Sequence, residues 1–170
     1  MEQIGFLGAY DKKDLLINVA TVLTNAGKSV LIVDATSVQR MRYVVPNIST
    51  NQSFSYVSEY SKIDVALGFM TLNDIAQYLK RNLNYDYILI DSDNPQTMNS
   101  FGIQGMKKIF FVTSYEQYDM LKGAELLRFV QMPIEVVKVI STTNMNDAED
   151  KLLNSKVSNS NIKWSNSRIE

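Results

Sequence analysis

Short runs of consecutive apolar residues alternate along the chain with stretches in which apolar residues recur every three or four positions. An unbroken apolar run is typical of a strand that is buried on both faces, and the wider spacing is typical of an amphipathic helix. The apolar runs cover residues 4–8, 30–33, 87–90, 109–112 and 134–140. Their alternation with helical segments predicts an α/β fold with a doubly wound, mostly parallel sheet and helices on both faces.

The segments between the runs contain residues at helical spacing. After the first run these are Leu15, Val19, Val22 and Ala26. Between the fourth and fifth runs they are Tyr118, Leu121, Glu125 and Leu126. Thr71 followed by Asp74 is typical of a capping box, in which each side chain accepts a hydrogen bond from the other residue's backbone N–H. A helix is therefore expected to begin just after Thr71.

The 170 residues suit a single domain, because about 100 to 200 residues usually form one hydrophobic core. We expect residues 1–153 to form this domain and residues 154–170 to add a final short strand and an Asn/Ser-rich tail. A linker to a further segment is the alternative interpretation of the tail. Alternation of polar and apolar residues over 54–58 predicts a short edge strand.

Composition and charge exclude several classes of function. The chain has no Cys and no His, which excludes disulfides, thiolate nucleophiles, zinc sites and catalytic triads. Its formal net charge is −1 and its basic pairs are short, so there is no strong nucleic-acid signal. The N-terminus lacks the basic start of a signal peptide, and no run reaches the ~20 apolar residues that span a bilayer. We therefore expect a cytoplasmic protein without a transmembrane segment.

Charged residues follow three of the predicted strands, at the edge of the sheet where open α/β folds bind ligands. Asp34 and Asp91 come directly after the second and third runs. The end of the first run and the loop after it supply Gly8, Ala9, Tyr10, Asp11, Lys12, Lys13 and Asp14. A loop between a strand and a helix can hold phosphates with its backbone N–H groups. However, the P-loop pattern G-x-x-x-x-G-K-[ST] is absent.

Two stretches of the sequence resemble one known family. Residues 4–36 read IGFLGAYDKKDLLINVATVLTNAGKSVLIVDAT and are similar to the opening of MinD/ParA-type deviant Walker ATPases. Residues 85–95 read YDYILIDSDNP and are similar to the Walker B stretch of the same family. The resemblance covers residues 2 to about 145. It implies a P-loop NTPase-like fold whose site would be expected to hold ATP and Mg²⁺.

Several positions depart from the family's phosphate loop. The resemblance places Lys12 at the P-loop lysine and Lys13 at the threonine that binds Mg²⁺. Asp11 and Ala9 replace glycines, and Leu7 replaces the signature lysine that reaches across the dimer. A tight phosphate loop needs glycine so that the backbone can approach the oxygens, and an acid there repels them. The resemblance therefore implies a degenerate nucleotide site that takes no cofactor, or takes ATP and Mg²⁺ only weakly.

The family's other site positions also match in part. Asp34 corresponds to the first acid of the D-x-D motif and Asp91 to the Walker B acid, so these two are the candidates for a catalytic or metal-binding role. Ser141 or Thr142, with Asn144 slightly beyond, takes the place of an asparagine that contacts adenine. These matches assign no certain catalytic residue and no certain metal ligand.

A simpler interpretation competes with a role in chemistry. Asp34 and Asp91 are then solvated caps at strand ends or relics of an ancestral site, and Lys12 and Lys13 lie in a solvated loop. We favour this interpretation because the phosphate-loop motif is broken.

Three functions remain open on the sequence. The first is a MinD/ParA-like protein with a degenerate nucleotide site that binds protein partners. It would position or regulate a bacterial pilus, secretion, conjugation or partition apparatus, as a homodimer or recruited to the inner membrane face by a partner. The second is a weakly active ATPase or ATP-gated dimer switch, and the third is a ligand-free structural docking module. For the first, we expect the contact site within residues 37–61, with Phe54 and Tyr56 binding the partner, because loops on a rigid scaffold often carry function. Local packing is the alternative role for these rings.

Overall fold

Eight strands form one sheet within the described part of the chain, which comprises residues 1–46, 54–130, 134–141, 147–156 and 162–169 of the computed structural model. In chain order the strands are β1 Glu2–Leu7, β2 Val30–Asp34, β3 Tyr56–Tyr60, β4 Ile63–Leu67, β5 Tyr87–Ser92, β6 Met106–Thr113, β7 Ile134–Ser141 and β8 Ile162–Ile169.

Helices occupy most of the connections between these strands. They are α1 Lys13–Asn25, α2 Leu72–Leu79, α3 Pro95–Ser100, α4 Gln117–Leu127 and α5 Asp147–Lys156. Two short 3₁₀ turns lie at Arg40–Tyr43 and Ile103–Gly105. Among the described residues, no helix is both long enough and apolar enough to cross a membrane.

The sheet has the strand order β3-β4-β2-β5-β1-β6-β7-β8. Every neighbouring pair is parallel except β3 and β4, which are antiparallel. Strands β2, β5, β1 and β6 lie side by side in its centre. The doubly wound, mostly parallel sheet predicted from the apolar runs is therefore confirmed.

The central strands are apolar on both faces because helices cover both sides of the sheet. All five residues of β2 are buried. Leu31 and Val33 belong to a core that includes side chains of α2, α3 and α4, whereas Val30 and Ile32 belong to a core with α1 on the opposite face. This two-sided burial explains why the sequence shows unbroken apolar runs rather than alternation.

The capping box predicted at the start of α2 is present. Thr71 Oγ1 accepts a hydrogen bond from the backbone N–H of Asp74 at 3.1 Å, and the Asp74 carboxylate accepts one from the Thr71 N–H at 3.1 Å. These two bonds satisfy N–H groups that have no partner inside the helix.

The buried face of α4 differs from the face that the sequence spacing indicates. Tyr118 and Leu121 are exposed, and the buried apolar residues of the helix include Met120, Ala124 and Leu127. The inward face contains Gly123, where a Cβ would overlap the ring of Phe111. Because that ring needs the space, the helix turns its small residues towards the sheet. In α1 the spacing also misleads, since Val22 is exposed.

The predicted edge strand is present as β3, but it changes the role of one aromatic residue. Tyr56 is only 4% exposed, and its hydroxyl donates to Val45 O at 2.7 Å. Tyr56 is therefore a core residue, and its assignment as a partner-binding side chain is wrong because its ring points inward from the edge strand. Phe54 is 68% exposed, and its ring centroid lies 4.1 Å from the Arg42 guanidinium carbon. Residues 47–53 of the expected contact site lie outside the described residues.

We expect the variants Tyr56→Ala and Phe54→Ala to differ sharply in stability. Loss of the buried Tyr56 ring should lower the free energy of unfolding by about 3–5 kcal/mol. Loss of Phe54 should lower it by about 1 kcal/mol or less, because an exposed cation–π contact contributes no more than that. Urea unfolding measures both values, and equal losses would contradict the different burial of the two rings.

Candidate functional site

The candidate site lies where the chain changes direction across the sheet. Strand β1 leads through α1 to β2 on one side, whereas its neighbour β5 leads through α3 to β6 on the other side. The carboxyl ends of β1 and β5 therefore flank a topological switch point, which is where open α/β sheets bind ligands. Residues 8–12 form the loop between β1 and α1 at this point, and Asp34 and Asp91 lie opposite each other in register on the adjacent strands.

Gly8 allows the loop to pass closely over the end of β6. Its φ is 149°, and a Cβ at this position would overlap the carbonyl oxygen of Val112. Its N–H donates to Ser92 O at 3.2 Å, which ties the loop to β5. Both the space and the backbone conformation therefore favour glycine at the first loop position.

Lys12, the last residue of the loop, points into the protein. It is 2% exposed, and its Nζ lies 3.1 Å from Asp91 Oδ1. The same Nζ donates to Gly8 O at 2.5 Å and to Tyr10 O at 3.1 Å. The carbonyls of Gly8 and Tyr10 accept two of the three ammonium protons, and Asp91 supplies the counter-charge.

Asp91 lies near the carboxyl end of β5 and is 4% exposed. Burial raises the pKa of this carboxyl to about 7. The Lys12 ammonium opposes that rise, and the nearby charges of Asp34 and Asp93 add to it. Oδ1 has Lys12 Nζ at ion-pair distance but accepts no hydrogen bond of good geometry from the described residues. Above about pH 7 Asp91 therefore neutralises a buried cation, and one of its oxygens is incompletely satisfied.

Asp34 at the end of β2 organises the segment that follows it. Oδ1 accepts from Thr36 N at 3.1 Å and from Thr36 Oγ1 at 2.6 Å, and Oδ2 accepts from Met41 N at 3.0 Å. Both carboxylate oxygens are thus used to hold the turn that leads into the 3₁₀ segment Arg40–Tyr43. This geometry gives Asp34 a structural task at the rim of the site.

Three polar contacts at the site were not anticipated from the sequence. Asp93 accepts hydrogen bonds from Ser37 N and Ser37 Oγ, the latter at 2.5 Å, which joins the loop after β5 to the loop after β2. Thr36 is held by Asp34, and Arg40 Nη1 lies 3.7 Å from Asp11 Oδ2. The second acid of the DSDNP stretch was the signal that could have indicated Asp93.

Asp11 lies at the amino-terminal end of α1. Its Oδ1 accepts the backbone N–H of Lys13, the first residue of the helix, at 3.1 Å. The N-terminus of a helix carries a partial positive charge and unpaired N–H groups, which are the features that bind phosphate in P-loops. Here the chain's own carboxylate has taken one of these donors.

The burial of Lys12, Asp34 and Asp91 corrects the interpretation that they are a solvated loop lysine and solvated strand ends. Adjacent parallel strands bring the two acids together beneath the loop, and the lysine side chain turns inward to meet Asp91. Lys13 remains partly exposed, with its Nζ 3.3 Å from Asp14 Oδ1.

Other positions matched to the family take different places. Leu7 ends β1 and is fully buried in the core, so it cannot reach across an interface as a lysine would. Ser141 ends β7, and Thr142 and Asn144 lie outside the described residues.

A cavity of about 50 Å³ lies between the loop and the two acids. It is lined by residues 8–13 together with Asp34, Thr36, Val38, Arg40, Asp91 and Asp93. Pockets that hold small molecules usually have volumes of about 300–1,000 Å³. The residues in this arrangement do not fit a nucleoside triphosphate, because the cavity is small and the lysine and a helix N–H are already occupied. Among the described residues, no group of three His, Cys, Asp or Glu side chains is placed to hold a metal ion.

The fold is that of P-loop ATPases of the ParA and MinD type. The alignment with a ParA family ATPase from Chlorobium tepidum covers 99% of this chain and 83% of the ATPase chain, with a TM-score of 0.62 and 16% identity. A putative plasmid partition protein from Borrelia burgdorferi, bound to AMPPNP, covers 100% and 85%, with a TM-score of 0.63 and 13% identity. A chain of the MinC:MinD cell division protein complex from Aquifex aeolicus covers 82% and 68%, with a TM-score of 0.55 and 15% identity. Neither a protein-family model nor a curated protein matches the sequence. At these identities the similarity confirms the expected fold.

We expect Asp91→Ala to destabilise the protein severely, because it leaves the Lys12 ammonium buried without its counter-charge. Removal of one partner of a buried ion pair typically costs about 3–5 kcal/mol in the free energy of unfolding. The double variant Lys12→Met/Asp91→Leu should lose less, since it buries no unpaired charge. Glu2→Ala serves as the control because it breaks the solvent-exposed pair between Glu2 and Lys107 and should change stability far less. A double variant that is less stable than Asp91→Ala would contradict the ion pair as the source of the loss.

The raised pKa of Asp91 predicts a particular pH dependence of stability. The folded protein holds this proton more tightly than the unfolded chain, whose Asp pKa is near 3.8, so the contribution of Asp91 to stability is lost as pH rises through about 7. The isosteric variant Asp91→Asn does not titrate. The free energy of unfolding of the wild type minus that of Asp91→Asn should therefore fall between about pH 4 and pH 7. A rise over this interval would show that the Lys12 charge outweighs burial.

Proposed function

We propose that this chain is a MinD/ParA-like protein with a degenerate nucleotide site that acts by binding other proteins. In this role it positions or regulates a bacterial pilus, secretion, conjugation or partition apparatus. It works in the cytoplasm, and a partner recruits it to the inner membrane face where the apparatus requires it. Homodimerisation is part of the proposal.

The observation that carries the proposal is the internal pairing of Lys12. In a phosphate loop the lysine must be available to neutralise a phosphate charge. Here the Lys12 ammonium is 3.1 Å from Asp91 Oδ1 and donates to two loop carbonyls. Binding of a nucleotide would have to break these contacts within a buried site, which makes tight ATP binding and rapid turnover unfavourable.

Exposed aromatic residues next to the loop support a role in protein binding. A groove of about 530 Å³ between α3 and α4 adjoins the loop at Ala9 and is lined on one side by Tyr118 and Phe129. Both rings are more than half exposed. Aromatic residues at an exposed groove are typical anchors of protein interfaces. The chain of similar fold in the MinC:MinD complex supports this role, because that chain is part of a complex between two proteins.

A second candidate, the ATP-gated switch, rests on a specific contact as well. Lys12 and Asp91 lie together at the switch point, as the resemblance to Walker A and Walker B residues implies. One protein of the same fold binds AMPPNP. If the loop opened, the lysine would become available to phosphate.

Calorimetry and phosphate release with Mg²⁺-ATP separate these two functions. We expect no ATP turnover above background and a dissociation constant weaker than about 100 μM, because the lysine and a helix N–H are already satisfied. Lys12→Met tests the loop lysine. Lys107→Met is the matched control, since this exposed lysine lies near the opposite end of the sheet. Micromolar binding by the wild type that Lys12→Met abolishes and Lys107→Met leaves intact would favour the switch.

The proposed binding of a partner protein is tested by measuring whether that binding depends on nucleotide. The tagged intact chain should capture a product of a neighbouring gene equally well with Mg²⁺-ATP and after nucleotide depletion with a chelator. Capture that is lost on depletion would favour the ATP-gated switch, and absence of any direct complex with purified candidates would favour the ligand-free docking module.

A further inference from the structure

We propose that the Asp11 carboxylate is a built-in anion that occupies the phosphate-binding end of α1 and keeps the loop closed to phosphate ligands. This inference deepens the proposed function and rests on it in one respect, namely that the loop does not normally hold a nucleotide. It names one residue that adds to the pairing of Lys12 in closing the site, and it therefore predicts that substitution of Asp11 strengthens phosphate binding.

The contacts of Asp11 explain how it acts. Oδ1 accepts the N–H of Lys13, and Oδ2 lies 3.7 Å from Arg40 Nη1. The carboxylate thus bridges the start of α1 and the 3₁₀ segment that follows β2. A phosphate oxygen approaching the loop would seek the same two positive groups, so it must displace Asp11 or bind beside it.

A second and independent observation shows that the cavity below Asp11 is built around charge. The Lys12 ammonium lies buried on its floor, and Asp91 Oδ1 beside it is more than nine-tenths buried and lacks a hydrogen bond of good geometry. A buried oxygen without a hydrogen bond is unusual in a protein core. A carboxylate therefore lies at both the floor and the entrance of the cavity, where each opposes the approach of phosphate, and Asp11 is the one at the entrance.

Charge repulsion adds to the occupied hydrogen bonds. A carboxylate within a few ångströms of an incoming polyphosphate repels each of its charges, even in a partly solvated site. Removal of Asp11 frees the Lys13 N–H and the Arg40 guanidinium together. We expect these changes to strengthen polyphosphate binding by about tenfold or more.

The experiment is an NMR titration of ¹⁵N-labelled full-length protein with inorganic triphosphate, which measures dissociation constants into the millimolar range. The variants are Asp11→Gly and Asp11→Asn, and thermal unfolding verifies that each is folded. Asp11→Asn keeps the size of the side chain and an oxygen that can accept the Lys13 N–H, so it removes the charge alone and still tests the repulsion if the glycine variant is unstable. In Asp11→Gly the Lys13 amide should shift on titration, and the dissociation constant should be at least about tenfold lower than in the wild type. In Asp11→Asn the lost charge alone should lower the dissociation constant by more than about threefold.

Asp14→Asn is the matched control. It removes the same charge three residues further along the chain. Among the described residues, Asp14 contacts the Lys13 ammonium and accepts no helix N–H. It should tighten binding by less than about threefold, as expected for a screened surface charge. An equal gain in Asp14→Asn, or no gain in either Asp11 variant, overturns the inference.

Failure of the proposed function has a different signature. Tight Mg²⁺-ATP binding by the wild type would refute the proposed function whatever the Asp11 variants do. Weak binding by the wild type together with unchanged Asp11 variants would leave the proposed function intact and refute the role of Asp11.

Discussion

The arrangement of the carboxyl edge of the sheet depends on the need to balance one buried cation. Lys12 is 2% exposed, and an ammonium group in such a place is tolerated only when it is paired and hydrogen-bonded. Asp91 provides the counter-charge, and the carbonyls of Gly8 and Tyr10 accept the remaining protons. The loop must therefore fold back over its own lysine, which brings it close to β6 and leaves only a small cavity beneath it.

Sheet topology supplies the partners for this charge. Because β5 lies between β1 and β2, the acid of β5 comes beneath the loop that leaves β1, and the acid of β2 lies opposite it. The two acids have different tasks, since both carboxylate oxygens of Asp34 accept backbone N–H groups, one from Thr36 and one from Met41. Only Asp91 is left to neutralise Lys12.

The fold could be predicted from the sequence because unbroken apolar runs, the capping box at Thr71 and the glycine after the first strand each act locally. The state of the site could not, because it depends on which strands become neighbours. Lys12 and Asp91 are far apart in the chain, and no local pattern shows that one will be buried against the other. Tyr56 and the inward face of α4 were misjudged for a related reason. Packing against Val45 and the close approach of Phe111 to Gly123 select the buried face, and side-chain size alone does not reveal either contact.

A lysine at the end of the loop after β1 is usually taken as a sign that phosphate binds there. In this chain the stability of the fold accounts for that lysine without any ligand, since two carbonyls accept its protons and Asp91 balances its charge. The helix N-terminus is likewise satisfied by Asp11. Among the residues that line the cavity, four carboxylates face three cationic groups, so no excess positive charge is left to attract an anion. The strand order of the sheet is therefore what identifies the fold, whereas the contacts of the loop residues tie the loop to the strands and helix around it.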